Sequence, residues 1–320
     1  MKDAMKTEPR SVRLVRNNRC HEIFKLVTHK IKFNHTVRTC IFSLLLFFIQ
    51  LNIYAQPSGL DNILNDFYHR PDRILVSSHR AAHIDYPENS LAAMREAIRL
   101  GVDIIETDVR ETKDSVLIIM HDKDVNRTTT GKGLVADLTY AELQQFFLLQ
   151  NGKPTQEKIP TFEDVLNIVK GKIMLDIDYK ADGERAARNT YRLIEKTKTE
   201  KQVLFFLYDY KEAPAYRKMN TAIPIMARSY NKDDVAGILQ FGFVPVIHVD
   251  DKFYSDSLMN AIRKNNIRVW MNALGKYDDM EKVKENSGFD SLLQMKQVNV
   301  IQTDRPAQLI KYLQLKKLHG

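Results

Sequence analysis

Nine short apolar runs alternate with segments of helical periodicity along most of the chain, and this alternation restricts the fold more than any other feature. Strands that alternate with helices are typical of βα units, which build a parallel sheet. The predicted strands cover residues 73–79, 103–109, 116–121, 172–178, 203–209, 222–228, 244–250, 268–273 and 300–304. The predicted helices cover residues 90–100, 161–170, 184–196, 233–241, 257–266 and 306–315.

One connection between these strands is too short for a parallel crossover. Six residues separate Val109 from Val116, so the flanking runs are predicted to form an antiparallel hairpin that pairs position 121 with position 106. Eight strands with longer crossovers remain over about 250 residues, which is the pattern of an α/β fold of the (β/α)₈ TIM barrel type. Residues 123–158 are predicted to form a small insertion over the barrel mouth, after His121 and before the next strand.

Two carboxylates lie one residue apart in the apolar run DIIETDV, at Glu106 and Asp108. Alternate side chains of a strand share one face, so both acids are directed at one point. Burying unpaired charge is costly, and a positive group is therefore expected beside them. Carboxylate oxygens are the ligands that Mg²⁺ and Ca²⁺ prefer. The pair indicates a site for one divalent cation, Ca²⁺ or Mg²⁺.

Other residues with binding or acid–base chemistry also follow the ends of predicted strands. The active site of a (β/α)₈ barrel lies at the C-terminal ends of its strands. We therefore expect these residues to share one end of the barrel. They are His79, Arg80, Glu106, Asp108, His121, Asp178, Lys180, Trp270, Thr303 and Asp304.

Seven motifs resemble those of the glycerophosphodiester phosphodiesterase family and occur in the family's order. They are SHRAAHIDYPENSLAAMREAIRLG, VDIIETDVRETKD, VLIIMHDKDVNRTT, IPTFEDVL, LDIDYK, VWMNA and VIQTDRP. A single HR or HD dipeptide would carry no information, whereas seven motifs in register are specific. The resemblance covers nearly all of residues 74–313. It implies a barrel fold, a bound divalent metal, and hydrolysis of glycerophosphodiesters to glycerol 3-phosphate and an alcohol.

The resemblance also implies a role for each motif residue. It implies that a neighbouring glycerol hydroxyl attacks the phosphorus and that water later opens a cyclic phosphate. The sequence leaves open whether His79 or His121 is the first base, and we expect His79. The implied roles are general acid and base for His79 and His121, metal ligands for Glu106, Asp108 and Asp178, phosphate contacts for Arg80 and Lys180, and a wall for the glycerol moiety for Trp270.

The chain departs from the family pattern at three positions. Ala81 and Ser115 stand where the family usually has glycine, which matters if the backbone there has a positive φ. Asp178 stands where glutamate is usual, so the third metal ligand is shorter by one methylene. This change predicts either a different metal preference or a water that fills the gap.

Several of these residues also have a plain structural interpretation. Glu88 and Asn89 either cap the helix that begins at residue 90 or contact the metal site. Trp270 either packs in the core or contacts glycerol. Asp304 is interpreted as the cap of the last helix, and His83 has no partner visible in the sequence.

The N-terminal residues have the pattern of an export segment. Residues 1–39 hold ten Lys or Arg and three acids, so nearly all of the formal net charge of +8 lies there. An apolar run, 41–49, and a small-residue end at Ala55 follow, which predicts a secretory signal peptide, or a signal anchor, over residues 1–55. Both cysteines, at positions 20 and 40, fall inside it. Residues 56–70 are predicted to be a linker and residues 71–320 the barrel domain.

These observations predict an exported, metal-dependent enzyme that acts on small-molecule glycerophosphodiesters. Nucleic acid is not a predicted partner, because the mature chain is nearly neutral. No stable membrane insertion is expected after cleavage, and nothing in the sequence sets the oligomeric state.

Two alternative functions remain open. A lysophospholipase D or sphingomyelinase D-like enzyme of the same superfamily would need an apolar groove, for which FFLL (146–149) is the only segment available. A non-catalytic barrel that binds phosphodiester polymers would have no need of the two histidines and three acids. Turnover of lysolipids or of glycerophosphodiesters distinguishes these functions.

Overall fold

A closed barrel of eight parallel strands dominates the computed structural model, which describes residues 59–181 and 183–320. The strands of the described residues are β1 (Leu75–Ser78), β2 (Ile104–Glu111), β3 (Leu117–Ile119), β4 (Leu149–Gln150), β5 (Lys153–Pro154), β6 (Met174–Tyr179), β7 (Val203–Leu207), β8 (Ile225–Arg228), β9 (Val246–His248), β10 (Arg268–Asn272) and β11 (Val300–Thr303). All except β3, β4 and β5 belong to the barrel, which closes where β1 pairs with both β2 and β11. The predicted (β/α)₈ TIM barrel is confirmed.

Helices connect the strands around the outside of this barrel. Those of the described residues are α1 (Gly59–His69), α2 (Leu91–Leu100), α3 (Tyr140–Leu143), α4 (Phe162–Val169), α5 (Gly183–Thr197), α6 (Ala213–Met219), α7 (Lys232–Leu239), α8 (Asp256–Arg263), α9 (Lys276–Val283), α10 (Ser287–Leu292) and α11 (Pro306–Leu315). The six predicted helices agree with α2, α4, α5, α7, α8 and α11 to within a few residues.

Strand β3 forms the predicted antiparallel hairpin with β2, but in a different register. Val109 pairs with Ile119, whereas the predicted pairing of 106 with 121 would place Val109 opposite Ile118. The register is therefore shifted by one residue. The turn causes this shift. Its loop has three residues, and the last of them, Ser115, adopts a left-handed backbone with φ of 63°, which is the usual geometry of a three-residue hairpin with a bulge.

The interior of the barrel changes from apolar to polar along the strands. Because alternate residues face inward, Ile104 lies in the apolar layer and Glu106 and Asp108 follow it on the same face of β2. The same spacing places Met174 in the apolar layer and Asp176 above it on β6. The apolar layer contains Leu75, Ile104, Met174, Leu204, Phe206, Met226, Val246, Trp270 and Val300.

Helix α1 covers the N-terminal end of the barrel, where a linker over residues 56–70 was predicted. That prediction is wrong for residues 59–69. Phe67 of α1 packs against the apolar layer. The guanidinium of Arg268, at the start of β10, donates to the carbonyl oxygens of Phe67, Arg70 and Arg73 at 2.9, 2.9 and 2.8 Å. A cation at the C-terminal end of a helix interacts favourably with its unpaired carbonyl groups.

The insertion has a small apolar core of its own. Val125, Val135 and Leu143 pack there against Ile118 and Met120, which lie on β3 or directly after it. Its FFLL segment is part of this packing. Leu148 is buried in the core, and the ring of Phe146 lies directly against Gly131, where an added Cβ would meet ring atoms at 2.2–2.4 Å. The insertion is therefore a packed element.

The predicted export segment, residues 1–55, lies outside the described residues, as do both cysteines. Across residues 59–181 and 183–320, no helix has the length and apolar character that crossing a bilayer requires.

Candidate active site

Three carboxylates meet at the C-terminal end of the barrel, as predicted from their positions in the strands. Glu106 and Asp108 lie on β2 and Asp178 lies on the neighbouring β6, where it pairs in register with Asp108. One oxygen atom from each of the three lies within 4.8 Å of the others. The shorter Asp178 therefore still reaches the cluster. Glu106 and Asp108 are buried, with 4% and 1% of their surface exposed.

The electrostatics of this cluster favour a bound cation. Burial, followed by repulsion from Asp108, Asp178 and Asp176, raises the pKa of Glu106 well above its usual range. Among the described residues, the buried Oδ1 atom of Asp178 has no hydrogen-bond donor, and the buried Oδ1 atom of Asp108 has only the Lys180 ammonium as an ion-pair partner, at 3.3 Å. A hard divalent cation would offset the repulsion and bind both oxygens. The all-carboxylate donor set therefore fits Mg²⁺ or Ca²⁺.

Lys180 and Tyr208 hold Asp178 in place. The Nζ atom of Lys180 lies 2.8 Å from Asp178 Oδ2 and 3.3 Å from Asp108 Oδ1. The Tyr208 hydroxyl donates to the same Asp178 oxygen at 2.9 Å. Burial lowers the pKa of Lys180, but the attraction of Asp178 and Asp108 outweighs it and the net shift is upward. Lys180 is therefore a permanent cation beside the cluster, and its predicted contact with phosphate stays a prediction.

The loop after β1 folds back onto the acids. The backbone N–H of Arg80 donates to Glu106 Oε2 at 2.8 Å, and the Asn89 amide donates to Asp108 Oδ2 at 2.8 Å. Arg80, Ala81 and Asn89 have φ of 48°, 65° and 59°. The departure from glycine at position 81 thus falls on a left-handed residue, where alanine is strained.

The prediction that Glu88 or Asn89 caps the next helix is wrong. The cap of α2 is Ser90, whose hydroxyl accepts from the backbone N–H of Ala93 at 3.0 Å. Asn89 instead lies directly beside a metal-cluster acid, as the family resemblance implied. Glu88 accepts from the Arg80 guanidinium at 3.0 Å.

His79 is oriented by a carboxylate from the other end of the sequence. Its Nδ1 atom lies 2.7 Å from Asp304 Oδ1, so Asp304 does not cap the last helix as predicted. Burial raises the pKa of Asp304, but the hydrogen bond from His79 and the attraction of His79, His83 and Arg80 together outweigh it, so the net shift is downward and the carboxyl stays ionised. His83 also belongs to this group, because its Nδ1 atom lies 2.8 Å from the backbone oxygen of His79. The Nε2 atom of His79 is left to exchange protons with a substrate.

We expect Asp304→Asn to lower kcat by about 10- to 100-fold, because an amide no longer fixes the imidazole tautomer or stabilises its protonated form. KM should change little, because the charges that bind the phosphate remain. Asp290→Asn is a matched control, because Asp290 bonds the Tyr312 hydroxyl away from this site. An unchanged kcat in Asp304→Asn would contradict the orienting role.

His121 has the same arrangement with its neighbour in the chain. Its Nδ1 atom lies 2.7 Å from Asp122 Oδ1. Arg127 of the insertion donates to Asp122 at 2.6 Å and, from its other nitrogens, to Glu88 at 2.7 and 2.9 Å. Hydrogen bonds from Arg127 and His121 hold the pKa of Asp122 far below its usual range, although burial raises it. Each histidine is thus paired through Nδ1 with an ionised carboxylate.

Arg110 fixes the backbone on both sides of the cluster and was not predicted. Its Nη2 and Nε atoms donate to the His121 carbonyl at 2.7 and 2.9 Å, and its Nη1 atom lies 3.4 Å from the Lys180 carbonyl. The signal was present in VDIIETDVRETKD, where Arg110 continues the inward-facing series of β2. Asp176 was also missed, although it lies two residues before Asp178 on the same face.

Trp270 lies in the apolar layer beneath the acids and is fully buried. Its indole N–H is 3.1 Å from Asn272 Oδ1 and 3.2 Å from Gln302 Oε1. This placement agrees with the interpretation of Trp270 as a core residue. Its contact with glycerol stays a prediction.

Comparison with known proteins identifies the family. The model of the glycerophosphoryl diester phosphodiesterase family matches residues 79–292, which is well over half of the chain. The chain belongs to this family. All residues of the acidic cluster and both histidines fall within the matched range. As a member of the family, the chain is a phosphoric diester hydrolase.

Individual relatives agree with this assignment. The phosphodiesterase is 28% identical over 256 residues to a glycerophosphodiester phosphodiesterase of Caldanaerobacter subterraneus subsp. tengcongensis, a match that covers 74% of this chain and 97% of the relative. The crystal structure of a glycerophosphoryl diester phosphodiesterase from Parabacteroides distasonis has a TM-score of 0.68 and 26% identity, covering 82% of this chain and 93% of that one.

A third similar protein is a phosphodiesterase from Oleispira antarctica, whose structure was solved in complex with the product sn-glycerol-3-phosphate. Its TM-score is 0.63 and its identity 19%, and the match covers 76% of this chain and 97% of that one. At this identity the similarity establishes the fold alone.

Proposed function

We propose that this phosphodiesterase hydrolyses glycerophosphodiesters to glycerol 3-phosphate and an alcohol, with one Ca²⁺ or Mg²⁺ bound by Glu106, Asp108 and Asp178. The observation that carries the proposal is that two imidazoles, each paired with a carboxylate, stand beside these acids at one end of the barrel. The bound glycerol 3-phosphate of the Oleispira antarctica phosphodiesterase supports the proposed product.

A phosphodiester is a stable anion, so its cleavage requires charge neutralisation, a base for the attacking group and an acid for the leaving oxygen. When bound, a divalent cation supplies charge neutralisation at the phosphate. The guanidinium of Arg80 and the ammonium of Lys180 add two fixed cations, with only 17% and 14% of each side chain exposed.

The two histidines divide the proton transfers between them. His79 accepts the proton of the attacking hydroxyl at Nε2, and Asp304 stabilises the resulting imidazolium. His121 donates its proton to the leaving oxygen, and Asp122 with Arg127 keeps its ring oriented. When the nucleophile is a glycerol hydroxyl, the same two residues exchange roles in the second step, in which water opens the cyclic phosphate.

The packing of the insertion does not favour the lysolipid alternative. Leu148 of FFLL is buried and Phe146 packs on Gly131, so part of the apolar surface of this segment is already used inside the insertion. The ring of Phe147 is also covered, because the Lys158 ammonium lies 3.4 Å from its centroid. A soluble diester is therefore the substrate class that we propose.

The experiment is a substrate panel on the purified protein. Glycerophosphodiesters and lysophosphatidylcholine are each supplied with Ca²⁺ or Mg²⁺, before and after chelation. We expect glycerol 3-phosphate from the glycerophosphodiesters, loss of activity with chelator, and recovery on addition of the cation. Activity that survives chelation would exclude the metal role, faster choline release from the lysolipid would favour the lipid alternative, and binding without turnover would indicate a non-catalytic barrel.

The export of the protein is a further part of the proposal. The basic residues 1–39 and the apolar run 41–49 support a signal peptide that is removed near Ala55. Mass spectrometry of the protein recovered from its native host should give a chain that begins close to Gln56. An intact N-terminus on a membrane-associated protein would indicate a signal anchor instead.

A further inference from the structure

Four side chains form a polar rim on the barrel mouth beyond the metal cluster. Tyr208, Arg228 and Asp250 follow the inward-facing residues Phe206, Met226 and His248 by two positions, so they continue the inner face of β7, β8 and β9 at the mouth. Tyr230 lies two residues beyond Arg228. We call Tyr208, Arg228, Tyr230 and Asp250 the rim cluster.

The rim cluster is directly connected to the acidic cluster. The Tyr208 hydroxyl donates to Asp178 at 2.9 Å and lies 3.2 Å from the Lys180 ammonium. Tyr208 is 48% exposed as a residue, and Tyr230 is 54% exposed. A phosphate held between Lys180 and the metal acids would place one of its ester substituents against these rings.

Both exposed tyrosine rings already hold a cation. The Lys180 ammonium lies 5.7 Å from the ring centroid of Tyr208, and the Arg228 guanidinium lies 5.0 Å from that of Tyr230. A second cation at either ring would lie close to the first and would be repelled by its charge. The rim cluster is therefore unsuited to an ammonium head group, although exposed tyrosines beside an acid would otherwise suit one.

Arg228 and Asp250 form a neutral pair rich in hydrogen-bonding groups. The Nη2 atom of Arg228 donates a hydrogen bond to Asp250 Oδ2 at 2.5 Å. Its Nη1 atom lies 3.4 Å from the His248 carbonyl oxygen. Guanidinium has five N–H donors, and the other three have no partner among the described residues. About a third of the Asp250 side chain is exposed, which leaves a carboxylate oxygen to accept. Planar donors and acceptors beside aromatic rings match the vicinal hydroxyls and the C–H faces of a polyol.

We infer that the rim cluster binds the alcohol half of the substrate and selects an uncharged polyol over an ammonium alcohol, with Arg228 as the specificity-determining residue. This inference rests on the proposed function, because it names the leaving alcohol of that reaction. The phosphodiesterase then prefers diesters such as glycerophosphoinositol and glycerophosphoglycerol to glycerophosphocholine.

The test compares kcat/KM for glycerophosphoinositol, glycerophosphoglycerol and glycerophosphocholine. In the unaltered enzyme we expect the two polyol diesters to exceed the choline diester by about tenfold or more, the value of one well-made hydrogen bond. Arg228→Gln should lower the polyol values by about tenfold and raise the choline value several-fold, because Asp250 and Tyr230 then face the ammonium without a competing cation.

Two further variants separate charge from geometry. Arg228→Lys keeps the cation but loses the planar donors, so it should lower kcat/KM for the two polyol diesters without raising the value for the choline diester. In the double variant Arg228→Gln/Asp250→Asn, the gain for choline should disappear because the carboxylate is gone. Arg217→Gln is the matched control, since Arg217 stacks on Phe243 on another part of the barrel, at 5.5 Å; it should leave all three values unchanged.

Binding distinguishes failure of the inference from failure of the proposed function. Dissociation constants for the three diesters are measured by calorimetry in His121→Ala, with Arg228 intact and with Arg228→Gln. If the protein bound the polyol diesters selectively and the unaltered enzyme hydrolysed none of the three, the proposed reaction would be wrong and the inference would stand. Equal kcat/KM and equal binding for polyol and choline diesters, or an equal loss for all three in Arg228→Gln, would overturn the inference alone.

Discussion

Replacement of either His79 or His121 by alanine should lower kcat by roughly 10²- to 10⁴-fold, the range that a positioned acid or base contributes. Both rings are held through Nδ1 by a carboxylate at 2.7 Å, which leaves Nε2 of each for proton transfer. KM should change little, because the charges that bind the phosphate remain. Steady-state kinetics with a saturating cation measure both parameters.

The double variant His79→Ala/His121→Ala should lose little more than either single one, because two residues that act in one step are not additive. His69→Ala is the matched control, since His69 is exposed on α1 at the opposite end of the barrel. Full activity in His121→Ala would exclude His121 from the mechanism, and full activity in His79→Ala would exclude His79.

Glu106→Gln should abolish cation binding and lower kcat by roughly 10²-fold or more, since the metal contributes several kcal/mol of charge stabilisation. The metal-free protein should nevertheless be as stable as the unaltered one, or more so, because the substitution removes one of several buried acids that repel each other. The glutamine can still accept from the Arg80 backbone N–H. Thermal unfolding with and without Ca²⁺ or Mg²⁺ tests both parts.

In the unaltered protein the cation should raise Tm, because it binds only the folded state. In Glu106→Gln this rise should disappear while the metal-free Tm is kept. Glu163→Gln is the matched control, since Glu163 pairs with Lys196 on the outer surface. An undiminished cation-dependent rise in Glu106→Gln would mean that the ion binds elsewhere.

The fold was predictable because the barrel strands carry short, mainly apolar runs that are buried on both faces, as parallel strands are. Helix α1 was missed although its pattern was present. Leu60, Ile63, Leu64 and Phe67 recur at helical spacing, but they follow the export segment closely and were assigned to a linker. The hairpin register was missed because it depends on the left-handed Ser115, which no periodicity indicates.

The site was predictable where its residues share one strand or one motif. Glu106 and Asp108 lie two positions apart on one strand, so their side chains point to the same face of the sheet independently of the rest of the fold. The partner of His79 was not predictable in this way. Asp304 lies 225 residues further along the chain, and only closure of β1 against β11 brings the two together. Tyr208 and Arg228 were missed for the same reason, because their neighbours come from adjacent strands.

Glu88 binds Arg80 on one side and Arg127 on the other, which couples the loop after β1 to the first residues of the insertion. The two parts of the insertion should therefore tolerate sequence changes to different degrees during evolution. Beyond residue 129 the insertion packs through Val135, Leu143 and Leu148 and, among the described residues, makes no contact with the two imidazole–carboxylate pairs, so substitutions that keep this packing should have little effect on proton transfer. Residues 121–127 cannot change as freely, since loss of Arg127 would remove the bridge between Asp122 and Glu88 and so uncouple the two histidine-bearing segments. Grafting an insertion from a relative should succeed only when the graft begins after this point.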